Sequence, residues 1–164
     1  METRWLDDEE IAAWTRFIAV VELLPGALDS QLRRDAGLTH FEYFTLAMLS
    51  EAPERTLRMT ALATRTNATL PRLSHVVSRL ETRGLVEREA CTDDRRATDV
   101  RLTTTGWAAI VAAAPGHVAT VRELVVDALT GAQVRQLGEI SDALLERLDP
   151  SGAMTAPYRR PAAD

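Results

Sequence analysis

Several residue types are absent or scarce in this chain of 164 residues. It has no lysine, so all 19 basic side chains are arginines, and its single cysteine excludes an internal disulfide and a thiolate-based zinc site. Eight glycines and an aromatic content of 5% favour helices over a β-sandwich. No apolar run approaches the ~18 residues that cross a bilayer, and no signal peptide opens the chain. These absences predict a cytoplasmic protein with no membrane partner.

The charge that is present is distributed unevenly. Apolar residues make up 46% of the chain and charged residues 26%, as in ordinary globular proteins, and the net charge is −5. Residues 55–101 contain ten arginines and six acidic residues, a balance of +4, which leaves −9 for the remainder. A basic middle in an acidic chain is typical of a nucleic-acid-binding module on another scaffold. A solvated helical face would give the same charge pattern.

Caps and apolar periodicity predict two helices before this basic middle. The first covers about Asp8 to Arg34, carries acidic residues in its first turn and has Gly37 as its C-cap. Pro25 removes one backbone hydrogen bond, which predicts a kink or a break. The second helix begins at Thr39, where Glu42 completes a capping box, and ends near residue 51.

Within the basic middle, the spacing of apolar residues changes from a helical pattern to the alternation of strands. Met59 to Thr64 forms a short helix whose pattern includes Leu57, and the next helix is capped by Asn67 or Thr69. Alternation in residues 85–90 and 98–102 then predicts two strands joined by a charged loop. After them, a threonine among residues 103–105 caps a helix that Pro115 and Gly116 interrupt or bend, and Thr130 starts a last helix.

Two helices followed by a hairpin have the order of a winged helix-turn-helix, whose second helix enters the DNA major groove. The predicted fold is mainly α, with a small two- to three-stranded β-wing and a helical dimerisation domain. The helix capped by Asn67 or Thr69 is the one predicted to enter the groove. In it, Arg72 and His75 are placed to read guanine, Thr69 and Ser74 to hold phosphate, and Arg79 to contact the DNA backbone. The candidate recognition-helix contacts are Thr69, Pro71, Arg72, Ser74, His75 and Arg79.

The hairpin loop carries a second candidate DNA contact. It contains Asp94, Arg95 and Arg96, and one of the two arginines is expected to enter the narrow minor groove. A carboxylate two residues before Arg96 can bind its guanidinium and fix its direction, so Asp94 is assigned that role.

Residues 62–106 resemble the MarR family of bacterial transcription regulators. The most specific segments are LSHVVSRLETRGLVERE, from Leu73 to Glu89, and the DDRR loop followed by V-x-L-T-x-x-G. The resemblance extends over about residues 8–148 and implies a homodimer that binds a pseudo-palindromic operator, usually as a repressor released by a small aromatic ligand. Leu70 and Pro71 depart from the family, since relatives more often have polar residues there.

The resemblance and the residue pattern together predict four segments. Residues 1–37 and 104–149 form helical dimerisation segments, residues 38–103 form the winged helix-turn-helix DNA-binding domain, and residues 150–164 form a flexible tail. The first and last helices have apolar stripes with no partner in a small winged-helix core, which independently predicts a homodimer. The expected partners are double-stranded DNA, a second copy of the chain and a small-molecule effector.

Trp14, His40 and Phe41 are the candidate effector-pocket residues, because the family's cleft lies between the first helix and the DNA-binding lobe. The histidines at positions 40 and 117 are otherwise interpreted as surface or capping residues. The histidines lack metal-ligand spacing, so no metal and no cofactor is expected.

Two other functions remain as alternatives. Cys91 would act as a redox switch in a regulator of the same fold, although its acidic neighbours favour a structural thiol. A winged-helix protein-interaction module without an operator would need an apolar or acidic outer face, whereas the predicted face is basic. An enzyme is not expected, since the chain has no phosphate-binding glycine loop and no nucleophile motif.

Overall fold

Six α-helices and one three-stranded antiparallel sheet make up the computed structural model, which describes residues 3–90 and 97–155. Helix α1 spans Asp8–Ala36 and begins with a capping box between Asp7 and Glu10. Gly37 ends it in the left-handed region, at φ 62°, as its C-cap position predicted. Of the kink or break predicted at Pro25, the break is wrong: α1 continues through this exposed proline. Only one hydrogen bond is lost, on a face that is open to water.

The next four elements form the compact middle of the chain. Helix α2 spans His40–Ser50 and has the predicted capping box of Thr39 and Glu42. Strand β1 covers Thr56–Arg58, helix α3 covers Met59–Arg65, and helix α4 covers Leu70–Thr82. Thr69, one of the two predicted caps, accepts the Arg72 N–H of α4. Leu57 belongs to β1 and not to the helical pattern in which it was predicted.

The sheet has the order β1-β3-β2, with β2 at Val86–Ala90 and β3 at Thr98–Leu102. The two predicted strands pair from Val86 opposite Leu102 to Ala90 opposite Thr98. Strand β1 adds on the other edge of β3, where Leu57 lies opposite Val100. A three-residue strand is too short to show alternation, which is why β1 was not predicted.

The C-terminal helices are longer than the middle ones. Helix α5 spans Thr104–Val121 and runs through Pro115 without the predicted interruption. A π-helical turn at Arg122–Val126 follows it, and α6 spans Gly131–Leu148 after a capping box at Thr130. Beyond α6, the Asp149 carboxylate accepts the backbone N–H groups of residues 153 and 154, so residues 150–155 form a turn.

The buried core lies in the middle of the chain. Its residues come from α2, α3, α4, the sheet and the start of α5, with Leu46, Leu62, Leu73 and Val100 fully buried. Helix α1 packs against α2 and α5 through its C-terminal half, whereas α6 buries no residue at all. Large apolar side chains therefore remain exposed on both outer helices: Trp14, Phe17, Val20 and Leu23 on α1, and Leu137, Ile140, Leu144 and Leu148 on α6.

Two helical segments are long and apolar enough to cross a membrane by length and composition alone. They are α1, Asp8–Ala36, and Thr104–Val126, which consists of α5 and the π-helical turn. Both segments contain charged residues, and neither was predicted from the sequence as a membrane span. Helices that bury an apolar face against another protein surface satisfy the same criterion, so the observation is weak evidence for a membrane span.

Candidate nucleic-acid interface

Helix α4 has two chemically different faces. Leu73, Val76, Val77 and Leu80 are buried against the core, as predicted from their spacing. The opposite face is exposed and carries Pro71, Arg72, Ser74, His75, Ser78 and Arg79. No acidic residue occurs in α4 before Glu81, and its N-terminal half presents Arg72, Ser74 and His75 beside the exposed apolar Leu70 and Pro71. This face has the chemistry that base edges and phosphates require.

The guanidinium of Arg72 packs against an aromatic ring. Its guanidinium carbon lies 4.3 Å from the centroid of Phe41, a residue of the first turn of α2. A guanidinium over an aromatic face is attracted by the electron-rich ring and loses part of its rotational freedom. Arg72 is thus exposed at the N-terminal half of α4 and restrained in direction.

Arg79 is engaged by a buried carboxylate. It forms an ion pair with Glu42, whose side chain is only 4% exposed. Burial alone would raise the pKa of Glu42, but hydrogen bonds from the Thr39 backbone N–H and from Arg79 outweigh it, and the pKa is lowered. Arg83 lies 3.8 Å from the same carboxylate and donates to the Gly37 carbonyl at 3.2 Å. The C-terminal half of α4 is therefore fastened to the junction of α1 and α2.

Arg88 joins β2 to α4, a connection that the alternating strand pattern did not indicate. Its guanidinium donates to Glu81 Oε2 at 2.9 Å, to the Ser74 carbonyl at 2.7 Å and to Ser78 Oγ at 3.0 Å. Its backbone N–H donates to Glu81 Oε1 at 3.1 Å. The side of α4 that faces the hairpin is thus held against β2, and the hydroxyls of both serines lie at this contact.

Ion pairs join the two strands of the hairpin. Arg101 on β3 donates to Glu87 at 2.7 Å and to Glu89 at 2.9 Å, both on β2. The predicted minor-groove arginines, Arg95 and Arg96, lie outside the described residues, as do Asp94, predicted to orient Arg96, and Cys91. Their predicted roles therefore stay predictions from the sequence.

A cavity of about 340 Å³ lies between α2 and α5. His40, one of the three predicted pocket residues, lines it together with Tyr43, Phe44, Ala47, Met48, Ser50, Glu51, Ile110, Ala114, His117 and Val118. The other two predicted residues do not line it: Phe41 faces Arg72, and Trp14 is 53% exposed beside Phe17 on the outer face of α1. The structure thus brings His40 to the cavity and separates it from Trp14 and Phe41.

The polar side chains of this cavity include two histidines and a tyrosine, beside Ser50 and Glu51. The rings of Tyr43 and His117 are 4.5 Å apart, and His40 stacks on Phe44 at 6.5 Å. Both histidines are half-buried and not surface groups as predicted, and burial lowers the pKa of each. Buried His117 Nδ1 has no hydrogen-bond partner among the residues that the structure describes. Burial likewise raises the pKa of Tyr43.

Glu42, Arg88, Tyr43 and His117 are the site residues that sequence reasoning did not identify. Glu42 was read only as half of a capping box, and its pairing with Arg79 joins residues 37 positions apart. Within residues 3–90 and 97–155, no three histidine, cysteine or acidic side chains gather closely enough to hold a metal ion.

Comparison with known proteins gives consistent matches. A model of the MarR family matches residues 36–97. The HTH-type transcriptional repressor YetL of Bacillus subtilis (strain 168) is 31% identical over 111 residues, which is 66% of each chain. This chain thus spans just under two thirds of the length of YetL.

Two solved structures cover nearly the whole chain. Sco3205, a MarR family transcriptional regulator from Streptomyces coelicolor in complex with DNA, is 46% identical, with a TM-score of 0.85 over 90% of this chain and 96% of that one. AbsC, a MarR family regulator from the same organism, is 38% identical, with a TM-score of 0.84 over 91% of this chain and 100% of that one.

Proposed function

Because the chain belongs to the MarR family of transcriptional regulators, we propose that it is a homodimeric repressor of a pseudo-palindromic operator. In this proposal, two copies of α4 enter successive major grooves, and a small ligand in the cavity between α2 and α5 releases the DNA. DNA is bound in the Sco3205 structure, and YetL is named a repressor. Both facts support the proposal without assigning an operator.

The observation that carries the proposal is the division of α4 into two faces. A buried apolar face fixes the helix to the core, and the exposed face offers Arg72 and His75 with no acid before Glu81. A protein-docking helix would instead present apolar or acidic side chains. The exposed chemistry of α4 therefore favours duplex DNA as the partner.

The homodimer is supported by the apolar side chains that the single chain leaves exposed on α1 and α6. Ile140 and Leu148 are 58% and 79% exposed, and contiguous exposure of this kind marks an interface. We assign residues 1–37 and 104–149 to dimerisation, 38–103 to DNA binding and 150–164 to a tail. The two apolar segments are then dimer surfaces and not membrane spans, and the protein acts in the cytoplasm, on chromosomal DNA.

The effector proposal is supported by the volume and lining of the cavity. About 340 Å³ falls at the lower end of the range for small-molecule sites. Its lining is mostly apolar, and His40, Tyr43 and His117 are among its polar groups, with Ser50 and Glu51. A compact aromatic ligand with a hydrogen-bonding substituent fits this chemistry.

The test is selection of bound duplexes from a randomised library, followed by gel-shift titration of the selected duplex and a scrambled one. We expect two half-sites whose centres lie roughly 34–36 Å apart. Affinity is expected to fall steeply as salt rises, because arginine–phosphate contacts release condensed counterions. Failure to enrich any duplex, or an affinity independent of salt, would contradict the proposal.

Arg72→Ala tests the face of α4 directly. Loss of one bidentate base contact is worth about 1–3 kcal/mol of discrimination, so the selected duplex should lose most of its advantage at that base. Arg135→Ala, an exposed arginine on α6, is the matched control and should keep the wild-type preference. Equal preference in both variants would remove Arg72 from the site.

A further inference from the structure

Three consecutive residues at the start of α2 contact three different parts of the molecule. His40 lines the cavity, Phe41 lies under the Arg72 guanidinium, and Glu42 pairs with Arg79. Arg72 and Arg79 belong to the two ends of the exposed face of α4. One helical turn of α2 therefore supports both ends of that face.

The contact of Phe41 with Arg72 sets where the guanidinium points. An unsupported arginine loses rotational freedom when it binds a base, and that loss weakens recognition. A guanidinium already held over a ring, 4.3 Å from its centroid, has lost part of that freedom beforehand. Phe41 thereby favours base recognition without itself reaching the DNA face.

The contact of Glu42 with Arg79 is an ion pair to a buried carboxylate. The carboxylate also accepts the Thr39 backbone N–H at 2.8 Å, so it is fixed at the N-terminus of α2 before it meets Arg79. A buried carboxylate needs its cationic partner, because an unpaired charge in that position is strongly destabilising. Arg79 is consequently held toward the core side, and part of its charge is neutralised before any phosphate approaches.

We propose that Phe41 and Glu42 are positioning residues, which act through Arg72 and Arg79 to set the base preference and the phosphate contacts of α4. The inference rests on the proposed DNA-binding function and adds two residues outside the DNA-facing surface to it. Phe41 directs the base-reading arginine. Glu42 withholds Arg79 from the phosphates and keeps α4 at a fixed angle to α2.

Phe41→Leu is the first test, with Trp107→Leu as its matched control. Both changes remove a ring that lies under an arginine guanidinium, but the partner of Trp107 is Arg55, which is not on α4. Without the cation–π contact of Arg72, the affinity ratio of selected to scrambled duplex should fall about three- to tenfold, while affinity for the scrambled duplex is unchanged. Trp107→Leu should keep the wild-type ratio even where both variants lose the same thermal stability.

Glu42→Gln is the second test, because the amide keeps the shape and the acceptor for Thr39 but removes the negative charge. Arg79 then becomes available to phosphate, so the logarithmic salt dependence of binding should steepen by about 0.9 for each subunit that gains a contact. Non-specific affinity should rise while the affinity ratio of selected to scrambled duplex falls. A purely structural role for Glu42 would lower stability and leave the salt dependence unchanged.

The controls separate failure of this inference from failure of the proposed function. If wild-type protein enriches no duplex, DNA-binding regulation itself is contradicted. If wild-type protein discriminates between duplexes and Phe41→Leu discriminates equally well, the positioning role of Phe41 is overturned. An unaltered salt dependence in folded Glu42→Gln overturns the role of Glu42, and if that variant does not fold, the Phe41→Leu result decides.

Discussion

At the scale of single residues, side chains of the DNA-binding lobe often serve two elements at once. Arg88 on β2 is the clearest case, since its guanidinium reaches the Glu81, Ser74 and Ser78 side of α4. Charge-assisted hydrogen bonds to several acceptors fix both elements relative to each other. The hairpin and α4 are thereby coupled as one rigid unit on this side.

The cavity histidines make folding stability depend on pH. Burial lowers the pKa of His40 and His117 below the ordinary value of about 6.5, so the unfolded chain binds protons more readily than the folded one. Their contribution is fully present above that value and is lost as pH falls from it toward the lower folded-state pKa. Asp29 and Glu42, whose pKa values are lowered, lose their contributions at more acidic pH.

We therefore expect the thermal midpoint to fall by a few degrees between about pH 7.5 and pH 5.5, and the fall to be smaller in His117→Asn. Tyr43, His40 and Glu51 are the other titratable groups of the cavity. Ile110→Val disturbs the same cavity without removing a titrating group or the ring that stacks on His40, and it should retain the wild-type pH dependence. Differential scanning fluorimetry across this range measures both, and an undiminished fall in His117→Asn would contradict the interpretation.

At the scale of elements, the junction of the hairpin with α5 depends on close packing at Gly106. A Cβ atom at this position would overlap the Leu85 backbone oxygen and lie 2.7 Å from Leu102 Cδ1. The Gly106 N–H also donates to Thr103 Oγ1 at 3.0 Å, which caps α5. The glycine of the V-x-L-T-x-x-G segment thus lets α5 start directly against the core.

Gly106→Ala is expected to destabilise the fold by about 1–3 kcal/mol through overpacking, or more if the backbone cannot shift. Gly138→Ala in α6 is the matched control, because nothing lies within 4 Å of an added Cβ there. That change should be neutral or stabilising by about 0.5–1 kcal/mol, as for glycine within a helix. Chemical denaturation compares the two, and equal stability would contradict the packing argument.

Local signals predicted the elements of the fold better than their partners. The capping box at Thr39, the left-handed Gly37 and the two faces of α4 were predicted because caps and periodicity depend on a few neighbouring residues. Strand β1 was too short to show a pattern. The cavity could not be predicted because Tyr43 and His117 meet only when α2 packs against α5. Periodicity indicates which face a residue occupies and carries no information about the facing helix.

At the scale of the whole molecule, the net charge of −5 conceals two regions. The basic balance of residues 55–101 includes α3, α4 and the hairpin, whereas the flanking segments are acidic. Glu42, Glu81, Glu87 and Glu89 pair with arginines of this basic region, so part of its charge serves structure. Among the described residues, Arg72 has no acidic partner at ion-pair distance, so its charge remains available on the N-terminal half of α4.

The apolar face of α6 is expected to hold the dimer together. Ile140→Asp places a charge on that face and should weaken dimerisation roughly 100-fold or more, because burying an unpaired charge costs several kcal/mol. Arg135→Asp on the polar side of α6 is the control and should remain dimeric. Sedimentation equilibrium measures the difference, and a stable dimer of Ile140→Asp would place the interface elsewhere.

The separation of tasks along α4 has an evolutionary consequence. Ser74, Ser78 and Arg79 contact Arg88 or Glu42 and hold the helix in place, whereas Pro71 and His75 are exposed and take no part in these contacts. Exposed positions of that kind generally tolerate substitution at little cost in stability. After gene duplication, a descendant could acquire a new operator by mutation at these positions while its scaffold remained under unchanged selection. Ser74, Ser78 and Arg79 should accordingly diverge more slowly than Pro71 and His75.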